Sequence, residues 1–156
     1  MRKTIDKILA VICIIMMALL VVDVLWQVVS RFVIGRPSAF TDELAGYLFI
    51  WVGLLGAAYV TGQRGHLAID LLIQRSNGQF KKALIATTYI IVSLFALFVF
   101  VIGGGWLVYT RFLWDVRSAA LGLPLGLIYS VVPISGLFII YYTIGDFIDS
   151  LKSEIE

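Results

Sequence analysis

Residues 8–33 read ILAVICIIMMALLVVDVLWQVVSRFV, an apolar run interrupted by Asp23, Gln27, Ser30 and Arg31. A hydrocarbon core about 30 Å thick is crossed by a helix of about 20 apolar residues, so this stretch is long enough to span it. The basic start Arg2, Lys3 and Lys7 superficially resembles a secretory signal. A signal's apolar region, however, is about 7 to 15 residues long and ends at a small-residue cleavage site. This run continues through Trp26, Val28, Val29 and Phe32, and is read as a retained membrane helix.

Outward from that helix the chain repeats the pattern. Of 156 residues, 61% are hydrophobic and 14% charged, far from the balance of a soluble domain. Gly35, Arg36 and Pro37 break the first helix, since proline lacks an amide donor and biases its predecessor away from helix. Thr41 can cap a second helix whose first turn carries Asp42 and Glu43 at the positive end of its dipole. The expected spans are about 8–34, 42–62, 83–109 and 125–147, with Pro133 inside the last and Gly103 to Gly105 a place for close approach or bending in the third. His66 and Asp70, four apart, suggest a short interfacial helix over about 66–74. The fold class is thus all-α, one membrane domain over 1–156 with four transmembrane helices and no room for a separate soluble domain.

Four spans put both termini on one side. Arg2, Lys3, Lys7, Arg64, Arg75, Lys81, Lys82 and Lys152 lie on the terminal side, against Arg31, Arg36, Arg111 and Arg117 opposite, which makes the termini cytoplasmic. A net charge of +2 with scattered basic residues gives no footprint for nucleic acid. The single Cys13 excludes an intrachain disulfide, and the single His66 excludes a bis-histidine haem or a multi-histidine metal cluster, so no cofactor is expected in this chain.

Two groups of residues stand out as candidate sites. Asp23, Trp26, Gln27, Ser30 and Arg31 fall within an arc of about 140° at 100° per residue, a polar stripe toward the outer end of the first helix. A carboxylate in hydrocarbon costs about 2.5 to 3.5 kcal/mol, so Asp23 should find a partner, face water or be protonated. The stripe is either an ion or substrate relay or an interface bonded across helices. Asp42 and Glu43, at the opposite end from the termini, are either dipole-favoured charge or an acidic contact for a partner outside the membrane, with Arg36 on the same side.

The stretch Thr41-Asp42-Glu43-Leu44-Ala45-Gly46-Tyr47-Leu48-Phe49-Ile50-Trp51, with Leu55-Gly56-Ala57-Ala58 and His66-Leu67-Ala68-Ile69-Asp70 behind it, resembles the small membrane subunit of tripartite ATP-independent periplasmic (TRAP) transporters. Ala120-Leu121-Gly122-Leu123-Pro124-Leu125, then Tyr129 and Pro133-Ile134, is similar to that family's segment entering its last helix. The resemblance implies a scaffold subunit in the bacterial inner membrane, clamped to a large elevator subunit that carries the substrate and uses the sodium gradient. A periplasmic binding protein would deliver organic acids of the dicarboxylate or sialic acid type. On this reading the Asp23 stripe meets the large subunit or another helix of the chain, and Arg36, Asp42 and Glu43 meet the binding protein. The alternative is a self-contained four-helix small exporter coupled through Asp23. Against it stand an aspartate where such exporters keep glutamate and the pronounced charge bias between the two sides.

Overall fold

The computed structural model describes residues 2–36, 38–63 and 78–152. Four of its helical stretches are long and apolar enough to cross a membrane: Arg2–Phe32, Ala39–Gly62, Leu84–Leu113 and Leu125–Ser150. The first two are unbroken helices, α1 (Arg2–Phe32) and α2 (Ala39–Gly62). The third span is composite, with α3 (Gly78–Phe95), a π-helical segment (Ala96–Gly103) and α4 (Gly104–Leu113). The fourth consists of α5 (Leu125–Tyr129) and α6 (Val131–Lys152). Among the described residues there is no strand; an isolated bridge pairs Arg117 with Pro124. The interfacial helix expected over 66–74, with His66 and Asp70, lies outside the described residues.

Several boundaries move for physical reasons. The first helix starts at Arg2, ahead of its apolar run, because the first turns are held by side-chain bonds rather than by lipid. The second begins at Ala39: Ser38, not Thr41, is the cap, its Oγ accepting the Thr41 amide at 3.4 Å while Thr41 Oγ1 donates to the Ser38 carbonyl at 3.0 Å. In the fourth span the helix breaks at Ser130, three residues before Pro133, which has no amide to bond the preceding turn. Beside the break, the Ile128 carbonyl accepts the Trp51 indole N–H at 2.9 Å.

The spans stand in a row rather than a closed bundle. α1 packs on α2, α2 on α6, and α6 on the third span, giving the spatial order first, second, fourth, third. Burial follows that order: 39% of the fourth span's apolar window and 17% of the second's are buried, against 11% and 6% for the outer two. Leu9, Leu55, Val131 and Tyr142 join the first, second and fourth spans, while Ala58, Ala96 and Ile139 join the second, third and fourth. Glycines set the closest approaches. A Cβ on Gly136 would lie 2.5 Å from Phe100 Cβ, one on Gly104 2.6 Å from Val132 Cγ1, and one on Gly126 2.6 Å from the Phe112 ring. Of the three consecutive glycines, only Gly104 is buried against the neighbouring span, and Gly103 closes the π-helical segment.

A polar staple ties the end that carries the termini. Arg2 donates to Asp146 through both terminal nitrogens at 2.6 and 3.1 Å, and to the Gly62 carbonyl at 2.8 Å. Tyr142 donates to Asp6 at 2.5 Å, and its ring lies where a Cβ on Gly62 would be, 2.7 Å away. These contacts place the start of α1, the end of α2 and the end of α6 together.

Candidate functional site

Leu9, Met16, Asp23 and Ser30 recur every seven residues along α1, and this line, rather than the wider polar arc, faces α2. A seven-residue repeat is the seam of two helices winding around each other, where a polar residue fixes register at some cost in stability. Asp23 sits on that seam at 8% exposure, and its Oδ2 has no hydrogen-bond partner among the described residues. Ser30 is buried beside the same helix and donates to the Gln27 carbonyl at 2.9 Å. Gln27 reaches across to α2, donating to Asp42 Oδ1 at 2.7 Å. Trp26, 55% exposed, points away from the seam, and Arg31, also exposed, borders the space between the end of α1 and the start of α2.

The expected stripe is therefore divided. Asp23, Gln27 and Ser30 are turned toward α2 of the same chain, Trp26 is left on the open side, and Arg31 is exposed at the rim between the two helices. The sequence signal for the division was the heptad spacing from Leu9, which a 100° wheel drawn over a few turns blurs.

The second group is divided too. Arg36 is exposed, just past Gly35, whose φ of 71° turns the chain after α1. Asp42 is exposed but engaged by Gln27. Glu43 turns inward, accepting the Tyr47 hydroxyl at 2.7 Å and the backbone amides of Ala119, Ala120 and Leu121 at 3.1, 2.8 and 2.9 Å. Glu43 and Tyr47 are four apart on one helix face, so their pairing was legible; the loop amides, more than seventy residues away, were not.

Two cavities flank these residues. One of about 380 Å³ lies between the end of α1 and the start of α2, lined by Gln27, Arg31, Ser38, Ala39 and Asp42. The other, about 290 Å³ and apolar, lies over Trp51 and is walled by Met16, Leu48 and Leu127. No group of three or more His, Cys, Asp or Glu side chains suited to a metal ion occurs among the described residues. The arrangement holds helices in register and leaves broad apolar faces open, with Phe49 and Trp106 each 69% exposed.

Comparison with known proteins meets these observations at the level of the whole chain. A protein of Haemophilus influenzae, provisionally named a TRAP transporter small permease protein, is 28% identical over 135 residues, covering 86% of this chain and 82% of that protein. The sialic acid TRAP transporter small permease protein SiaQ of Vibrio cholerae is 28% identical over 92 residues, which is 59% of this chain and 53% of that protein. The family model described as tripartite ATP-independent periplasmic transporters, DctQ component, matches residues 20–153. With four membrane-crossing helices and a match over nearly its whole length, the chain is a multi-pass membrane protein that belongs to the DctQ component of the TRAP transporters.

Proposed function

We propose that this chain is the fixed scaffold of a sodium-coupled importer of organic acids, of the dicarboxylate or sialic acid type, in the bacterial inner membrane. A large subunit carries substrate and sodium, and this chain clamps it. The observation that carries the reading is the open row of helices, whose outer faces are apolar and wide enough to take a second membrane protein. In lipid, helices associate through close packing and a few interhelical hydrogen bonds, and a row offers two such faces. Trp26 and Arg31, both exposed, are the contacts to the large subunit, with Gln27, bonded to Asp42, holding α1 in place behind them.

The orientation rests on basic charge: eight Lys and Arg on the terminal side against four opposite put both termini in the cytoplasm. The end carrying Arg36, Asp42 and Glu43 then faces the periplasm, where the soluble binding protein docks.

Co-expression with a tagged large subunit tests the clamp. Trp26→Ala should lower recovery of the pair by about tenfold, the loss expected for a buried aromatic anchor, while the melting temperature of the isolated chain stays unchanged because Trp26 is exposed there. Undiminished recovery would remove α1 from the interface.

A further inference from the structure

We infer that Glu43 is a latch that presents residues 118–123 as a preformed platform for the binding protein, and that the platform makes the contact. This rests on the docking reading above and deepens it. The Glu43 carboxylate gathers the three successive amides of Ala119, Ala120 and Leu121, a concave backbone nest suited to an anion. Buried Ser118 closes the same loop, its amide donating to the Leu123 carbonyl at 2.9 Å and its hydroxyl accepting the Leu123 amide at 3.2 Å. Gly122, at φ 67°, makes the turn and donates to the Ser118 carbonyl at 3.1 Å. The loop's amides are thereby spent inward.

What it turns outward is Ala119, Ala120, Gly122 and Leu123, all exposed and uncharged. Alanine and glycine lose no rotamer freedom when covered, and a loop already fixed pays little further ordering on association. At the same end Arg36 is exposed without a carboxylate partner among the described residues, and Arg117 is exposed beside Asp115 at 3.1 Å. Arginine is favoured at protein interfaces, so the matching surface is a protein with acidic groups around a small apolar centre.

The test is uptake by the complete transporter in vesicles, measured against binding-protein concentration, with hydrogen exchange followed at residues 119–121. Glu43→Gln should speed exchange there and raise the half-saturating binding-protein concentration about tenfold at unchanged maximal uptake. Ala120→Arg, which leaves the latch intact, should raise half-saturation without altering exchange. Higher salt should raise half-saturation in the unaltered transporter. The inference is overturned if Ala120→Arg keeps normal half-saturation, as a loop resting on lipid headgroups would, or if Glu43→Gln lowers only maximal uptake. Uptake by the unaltered transporter that ignores the binding protein would instead overturn the docking reading itself, whatever the exchange shows.

Discussion

Asp23 and Glu43 are acids twenty residues apart, and their surroundings differ in kind. Glu43 has four donors; Asp23 has a buried oxygen with none among the described residues. The acidic character of both sites was legible in the sequence. Which acid would be satisfied was not, because the donors to Glu43 are backbone amides of a distant loop. Removing Asp23 should therefore cost the chain little: Asp23→Leu is expected to leave the melting temperature of the purified chain unchanged or higher, since an apolar residue on a packed seam needs no partner. A sharp fall would mean that Asp23 has a bond the fold depends on. Trp51 behaves oppositely. Trp51→Phe leaves the Ile128 carbonyl without its donor beside a helix break, and should lower stability by about 0.5 to 1.5 kcal/mol in detergent melts. Arg2→Met should cost about 1 to 2 kcal/mol, as Asp146 is 5% exposed and loses a two-pronged partner. Because Arg2 is itself partly exposed, solvent screening keeps that figure below the cost of breaking a fully buried pair.

At the scale of the helices, the four spans could be read from length and hydropathy because lipid demands about 20 apolar residues per crossing and tolerates few exceptions. Their internal irregularities could not. The π-helical segment Ala96–Gly103 is made of apolar residues that an α-helical membrane span takes equally well, so nothing in its residue types marks the change of pitch. Pro133 signalled a disturbance, but the actual break at Ser130 and the indole bond beside it depend on α2 lying alongside. Glycines that look alike in sequence divide by position. Gly136→Val should destabilise by about 1 to 3 kcal/mol, since its side chain would enter the space held by Phe100 and Val101. Gly53→Ala, with nothing within 4 Å of the added carbon, should be neutral or stabilising by up to about 1 kcal/mol through higher helix propensity. Thermal melts of the two purified variants check both; equal losses would mean that the row is packed differently.

For the whole molecule, a row of helices explains why so much apolar surface remains outside the core and why the candidate residues split between inward and outward roles. The terminal staple and the Glu43 contacts fasten the helices at their two opposite ends, so the spans are held as a plate with two open faces. On the proposed reading such a plate supports a partner rather than carrying solute itself. The most direct test is uptake of a labelled organic acid into proteoliposomes containing this chain alone, the large subunit alone, or both, with binding protein and a sodium gradient supplied. Sodium-dependent uptake is expected only when both membrane proteins and the binding protein are present, and it should survive Asp23→Asn. Solute flux through the chain alone, abolished by Asp23→Asn, would contradict the scaffold and establish a small exporter coupled through that carboxylate.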